Sequence, residues 1–240
     1  MDKIYAIIPT MPSRMPYLEK AVASLLPQVD QLFVYFNSFS QLSKAPKFLD
    51  KVTLLVGSDL GSAARFYMAE KVDGYYAMCD DDLQYPADYI KVLVNKVEEY
   101  GRKAVITFHG KIMDLPLVSY RGIGPGRIKE NFPCLKTVLF DREIQIGGTG
   151  VMMYHTSALK VCVEDFKEKN LDDTEFSVLA NKAGVPIIVA AHREGWLKYL
   201  NPPTQDTIWH RNQAPEWDKK LVDQVNGHQW KFLLKQGTPK

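Results

Sequence analysis

The sequence predicts an α/β fold, a single domain whose mostly parallel sheet is flanked by helices. Two observations predict it. Short, continuous apolar runs such as Ile4 to Ile8 alternate along the first half with longer segments whose apolar residues recur at helical spacing. A strand without polar alternation is buried on both faces, and helices on either side supply that burial. Several of these segments also end on Asn37, Gly57, Asp80 and His109. Those positions form the polar edge beyond the carboxyl ends of parallel strands, where ligands bind.

Ile4 to Ile8 is the first strand, closed by Pro9. Pro16 falls where a first helical turn tolerates proline, and Leu18, Val22 and Leu25 follow at helical spacing until Pro27. Leu32 to Phe36 and Val52 to Val56 are the next strands, ending at Asn37 and Gly57. A helix is expected over 62–72, with Asp73-Gly74 as its exit. Tyr75 to Cys79 is a fourth strand, and it runs into Asp80, Asp81 and Asp82. Pro86 opens the next helix, buried through Ile90, Leu93, Val94 and Val97 and stopped by Gly101. Ala104 to Phe108 is a further strand. This βαβ rhythm implies right-handed crossovers.

The pattern then loosens. Arg121 to Arg127 is a glycine-rich basic loop, expected to be mobile. Gly147-Gly148-Thr149-Gly150 leads into the apolar run Val151 to Tyr154, and Ser157 is placed to cap a short helix. Asp172-Asp173 precedes a helix carrying Phe176, Leu179 and Ala183, closed by Gly184. Pro186 to Ala191 is a late strand followed by His192. From Pro202 onward the chain reads as a polar, tryptophan-bearing tail. Residues 1–200 are therefore the expected domain, and 201–240 an extension packing on or near the site.

Thirty basic residues stand against 28 acidic ones, a formal net charge of +2, which does not point to a nucleic-acid binder. Cys79, Cys134 and Cys162 are far apart and form no CxxC pair. They give no zinc or disulfide framework and point to a reducing, cytoplasmic setting. The run at 4–8 is too short for a leader or a span, and no later run is long enough for a transmembrane segment. Peripheral contact with a membrane stays open.

Three adjacent carboxylates repel one another and need a cation, solvent or a proton to coexist. In an extended chain Asp80 and Asp82 share a face and Asp81 points away. The triplet reads either as a solvated turn before the Pro86 helix or as an oxygen site for Mg²⁺ or Mn²⁺ shared with a diphosphate. Its place after an apolar strand favours the second. Arg65, behind Gly61 and small residues, can fork onto a phosphate or stand exposed. Arg14 carries the same two readings. Asp172 and Asp173 read as acidic helix-start residues, or Asp173 as a general base for an acceptor hydroxyl. His192 is a polar strand end, or an imidazole completing a metal site with Asp82.

In order, IYAIIPTMPSR, VGSDLGSAARFYMAEKVDGYYAMCDDDLQYPADYI, GGTGVMMYHTSAL and LDDTEFSVLANKAGVPIIVAAH resemble a family-2-type GT-A glycosyltransferase over about residues 3–200. The resemblance implies the Rossmann-like GT-A sheet. Asp80 and Asp82 would hold a nucleotide-sugar through Mn²⁺ or Mg²⁺, and Asp81 would lie beside the ribose or sugar. Arg65 would contact the base or diphosphate. Pro9, Thr10, Arg14 and Asn37 would line the nucleotide pocket. Asp173 would be the base of an inverting displacement, and His192 would sit where some relatives place an extra metal ligand. Phe66 stands where the family often has asparagine after the arginine, and Asp172 replaces its Glu. The Gln-x-x-Arg-Trp motif of processive synthases is missing, so transfer of a single sugar is expected.

The implied reaction moves one sugar from a nucleoside diphosphate donor, UDP favoured, to a hydroxyl of a glycan, a lipid-linked acceptor or modified nucleic acid. The basic loop at 121–127 is expected to close over the donor. Two rivals differ in class. A sugar nucleotidyltransferase usually opens with a glycine-rich loop after its first strand, and Pro9 to Pro12 contains no glycine. A non-catalytic nucleic-acid binder would use Arg121, Arg127 and Lys129, against the acidic strand edge.

Overall fold

The computed structural model describes residues 2–38, 47–202 and 214–234. Its strands are β1 (Lys3–Thr10), β2 (Gln31–Asn37), β3 (Thr53–Gly57), β4 (Gly74–Cys79), β5 (Leu83–Gln84), β6 (Val105–Thr107) and β7 (Gly110–Met113). They continue with β8 (Ile128–Phe132), β9 (Arg142–Ile144), β10 (Ile146–Gly147), β11 (Val151–His155), β12 (Ile187–Val189) and β13 (Lys198–Tyr199). The α-helices are α1 (Met15–Leu25), α2 (Tyr89–Glu99), α3 (Asp172–Lys182) and α4 (Pro215–Asn226).

Eight strands form the main sheet in the order β3-β2-β1-β4-β11-β6-β12-β9. The pairs β2–β3, β1–β2, β1–β4 and β6–β12 are parallel, whereas β11 runs antiparallel to both β4 and β6. The fold is thus the expected α/β sheet flanked by helices, with an antiparallel strand wedged into its centre. Every residue of β11 is buried, as a central strand requires.

Alternation of side chains divides the core. Ala6 and Ile8 of β1, with Tyr75, Ala77 and Cys79 of β4, face one layer. There they meet Leu18, Val22 and Leu25 of α1 and Ile90, Leu93 and Val97 of α2. Ile7, Tyr76 and Met78 face the opposite layer, against Phe66, Phe176 and Ala180. Burying one such Leu or Phe side chain stabilises the fold by about 1.5–3 kcal/mol. A smaller sheet, β10-β7-β8, carries a third cluster in which Met113, Leu117, Tyr120 and Ile128 pack on Leu221 and Val225 of α4.

Several expectations are corrected. The helix at 62–72 is instead a 3-10 segment, Gly61–Phe66, followed by turns. Side chains capture its carbonyls: Arg65 Nε donates to Ser62 O, and Tyr76 Oη donates to Arg65 O. Those oxygens are then engaged outside an α-helical ladder. The helix after Pro86 begins only at Tyr89, after a turn in which Tyr89 N donates to Pro86 O. Ser157 lies in a turn and caps no helix, its Oγ bonding the His155 ring; the next short helix, the 3-10 turn Val163–Asp165, is capped by Cys162. The supposedly irregular tail contains α4, amphipathic through Trp217, Leu221 and Val225. The parts of that tail at 203–213 and 235–240 lie outside the described residues. Among the described residues no helix is long and apolar enough to cross a membrane.

Candidate active site

Strand β1 ends at Pro9 and Thr10, β2 ends at Asn37, and β4 runs directly into Asp80, Asp81 and Asp82. These carboxyl ends open onto a cavity of about 670 Å³. A 3-10 turn, Pro12–Arg14, places Arg14 on the wall. The first turn of α3 brings Asp172 and Asp173 to the other side, joined by the Gly148-Thr149-Gly150 entry to β11.

Each aspartate of the triplet has its own partner. Asp80 meets Arg65 Nη2 at 3.1 Å, Thr10 Oγ1 donates to Asp81 at 2.8 Å, and Arg14 Nη1 donates to Asp82 at 3.0 Å. Burial and the neighbouring Asp82 carboxylate push Asp81 up to about 7. Burial and Asp80 push Asp82 up to about 6, against the pull of Arg14. Asp81, 8% exposed and turned toward β1, is the most enclosed of the three.

Arg65 links the two acidic groups. Its Nε lies 3.2 Å from Asp172 while its Nη2 holds Asp80. Burial disfavours the guanidinium charge, but Asp80, Asp172 and Asp173 outweigh it and raise the pKa. Its Nη1 has no hydrogen-bond partner among the described residues.

Asp172 is saturated: Arg65, Ser62 Oγ and Thr149 Oγ1 all meet its carboxylate. Asp173 is held more lightly, by Thr149 N at 2.8 Å and Thr149 Oγ1 at 2.6 Å. The threonine has one hydroxyl proton, so Oγ1 serves one carboxylate at a time. Burial, then repulsion from Asp172, raises the Asp173 carboxyl to about 6. That value suits a group that takes up a proton near neutral pH.

A divalent cation has a fitting donor set here. The wall carries six carboxylates (Asp59, Asp80, Asp81, Asp82, Asp172, Asp173) and four basic side chains (Arg14, Arg65, Lys111, Lys169), a formal excess of two negative charges. Asp80 and Asp82 offer hard oxygen ligands, which Mg²⁺ and Mn²⁺ favour. Gly150 leaves room for one of them: a Cβ there would stand 1.8 Å from Asp80 Oδ2. Among the described residues no three His, Cys, Asp or Glu side chains are grouped to hold a metal. Substrate oxygens would therefore have to complete such a site.

His192 is not brought into that arrangement. It is not on the cavity wall, and its ring packs edge-on to Phe108 with centroids 5.3 Å apart. Its Nδ1 donates to Ala190 O at 2.8 Å. Asn37 lines the cavity, but its amide is spent on the chain turn, accepting from Leu60 N and donating to Gly61 O. All the other singled-out residues, Pro9, Thr10, Arg14, Arg65, Asp80, Asp81, Asp82 and Asp173, share the wall.

His109, expected at the polar strand edge, lines the cavity, and so do Thr149 and, with no sequence motif to single them out, Lys111, Tyr120 and Trp217. The Gly-Gly-Thr-Gly run was the available signal for Thr149. Arg121 and Arg127 are not on the wall, although Tyr120 beside them is. Gly122, Gly124 and Gly126 all take positive φ, and Gly126 O accepts from Val118 N and Ser119 N, so the basic loop folds back on itself.

No family model and no curated protein sequence matches the chain. Solved structures similar in part include the following two. Glucosyl-3-phosphoglycerate synthase from Mycobacterium tuberculosis, in complex with Mn²⁺, UDP-glucose and phosphoglyceric acid, shares 13% identity at a TM-score of 0.38. The match covers 44% of this chain and 43% of that one. A mycobacterial protein shares 13% identity at a TM-score of 0.36, over 44% of this chain and 40% of its own. The chain thus matches less than half the length of either, and at such scores the likeness decides neither family nor activity.

Proposed function

We propose that this chain is a glycosyltransferase that binds a nucleoside diphosphate sugar beside Asp80 and Asp82 and transfers the sugar to an acceptor hydroxyl held by Asp173. One observation carries the reading. A single cavity joins a strand-end carboxylate pair to a second, separately held carboxylate, and Arg65 bridges the two sides.

Asp80 and Asp82 would hold Mg²⁺ or Mn²⁺, which when bound neutralises charge on a diphosphate leaving group. Arg14 adds fixed positive charge beside Asp82, and Arg65 adds it between Asp80 and Asp172. Thr149 orients the Asp173 carboxylate. In the reaction the acceptor oxygen bonds to the anomeric carbon as the bond from that carbon to the diphosphate oxygen breaks. The electron pair leaves with the nucleoside diphosphate, and the acceptor proton passes to Asp173. Attack from the side opposite the leaving group inverts the anomeric centre. UDP is the nucleotide favoured for the donor.

Product analysis tests this directly. Incubation with UDP-sugars, Mn²⁺ and candidate acceptors should release nucleoside diphosphate and leave the sugar on the acceptor. Release of pyrophosphate from a nucleoside triphosphate and a sugar phosphate would assign the site to nucleotidyl transfer instead.

A further inference from the structure

The cavity wall on the Asp173 side is built largely by segments remote from the aspartate triplet. Lys111 from β7, Tyr120, and Trp217 and Leu221 from α4 line it beside Asp173. The Tyr120 and Trp217 rings meet edge-on, with centroids 6.4 Å apart and planes at 88°. The Lys111 ammonium lies 4.2 Å from the centre of the Tyr120 ring, a cation–π contact. Burial pulls Lys111 down to about 8, and Asp173 is the carboxylate that opposes this.

Helix α4 does more than contribute Trp217. Asp218 accepts from Ser119 Oγ at 2.9 Å and from Tyr120 N at 3.0 Å. Asn226 donates to Leu117 O and accepts from Leu117 N, each at 2.7 Å. Leu221 and Val225 are buried against Met113, Leu117 and Ile128. The helix therefore fixes the segment that carries Tyr120.

We infer that Lys111, Tyr120 and Trp217 form a subsite for the ring of a neutral acceptor saccharide, and that α4 is its wall. A pyranose has an apolar C–H face and a rim of hydroxyls. Tyr120 and Leu221 are themselves 3% and 2% exposed, so the apolar surface offered to the first is the partly exposed Trp217 ring, with Tyr120 and Leu221 behind it. An ammonium that donates and a carboxylate that accepts suit the second. The negative excess on the wall disfavours a polyanionic acceptor such as nucleic acid. Asp218 is a positioning residue, acting through Tyr120. The inference rests on the glycosyl-transfer reading, because Asp173 serves both.

The test is saturation-transfer NMR on the whole chain with UDP and diamagnetic Mg²⁺, using the methyl glycosides of glucose, galactose, mannose and N-acetylglucosamine as probes. At least one probe should bind, with the strongest transfer to its ring C–H protons. Trp217→Ala should weaken that probe roughly threefold to tenfold, in keeping with a lost aromatic contact, and Trp217→Phe should recover most of it. Asp218→Ala should weaken the probe in the same way, with partial rescue by Asp218→Asn, which keeps an oxygen for Tyr120 N. UDP affinity should stay within about twofold in all four variants, since the contacts of Trp217 and Asp218 described above run to Ser119 and Tyr120 and not to the aspartate triplet. Equal probe binding in Trp217→Ala, or no probe binding while UDP binds, overturns the inference alone. Failure of UDP itself to bind overturns the underlying reading and the inference with it.

Discussion

The two sides of the cavity are made differently. The side carrying Asp80, Asp81 and Asp82 sits on the ends of parallel strands, and its charges are paired with Arg14 and Arg65 across short distances. The side carrying Lys111, Tyr120 and Trp217 is assembled from a small antiparallel sheet, a turn and a helix more than 80 residues further on. Strand ends of a buried sheet are fixed by the core itself, so the first side is a rigid charge cradle. The second depends on contacts between distant segments, and its surface is aromatic and apolar. One side is therefore suited to a constant, highly charged group and the other to a variable, weakly charged one.

Substitutions can break this contrast, and the largest effect belongs to the group between the two sides. Asp173→Asn keeps the shape and the Thr149 contact but removes the proton acceptor. Turnover should fall by about 10²–10⁴ while UDP-sugar affinity is retained, as rapid-quench and titration measurements would show. A loss of donor affinity as large as the loss of turnover would place Asp173 with the charge cradle.

Arg65→Ala should come next. It leaves Asp172, whose side chain is 6% exposed, without its cation. Removing one partner of a buried pair costs about 3–5 kcal/mol, measurable by denaturant unfolding. Arg65→Lys should not restore stability, because an ammonium cannot reach Asp80 and Asp172 in the same fork. Gly150→Ala should be gentler and confined to one side. The new Cβ would displace the Asp80 carboxylate, so Mn²⁺-dependent UDP affinity should drop roughly tenfold, as when a metal ligand loses its support. The melting temperature should fall less than in Arg65→Ala, because the Asp80 side chain is 38% exposed and can swing outward while Arg65 keeps Asp172.

The smallest effect is a pH dependence. Asp173 accepts a proton only when ionised, so turnover should climb with pH and level off above about 6. Its folded pKa lies above the unfolded value of 3.8. Its contribution to stability is therefore greatest below that value and declines as pH rises through about 6. A pH–rate profile flat from 5 to 8 would deny Asp173 the role of base.

The same contrast governed what could be read from the sequence. Unbroken apolar runs located β1, β2 and β4 to within about two residues, and the strand-end rule placed Asp80, Asp82, Arg14 and Arg65 on one wall. Local pattern suffices there because one strand sets both the core and the site. It failed at 62–72, where side-chain bonds from Arg65 and Tyr76 draw the backbone away from an α-helix. The other wall was illegible. Tyr120 and Asp218 are 98 residues apart, and no periodicity reports such a contact. The Trp217, Leu221 and Val225 stripe of α4 was present, but its polar surroundings hid it.

The central claim is that Asp80 and Asp82 bind a nucleoside diphosphate through a divalent ion. Thermal unfolding of the wild-type chain and Asp82→Ala, with UDP and Mn²⁺ singly and together, tests it most directly. At about 100 times the dissociation constant, UDP with Mn²⁺ should stabilise the wild type by about 2.7 kcal/mol, a rise of roughly 5–10 °C. Either ligand alone should do far less, and Asp82→Ala should not respond to the pair. An equal rise in Asp82→Ala, or no rise in the wild type, would contradict the account.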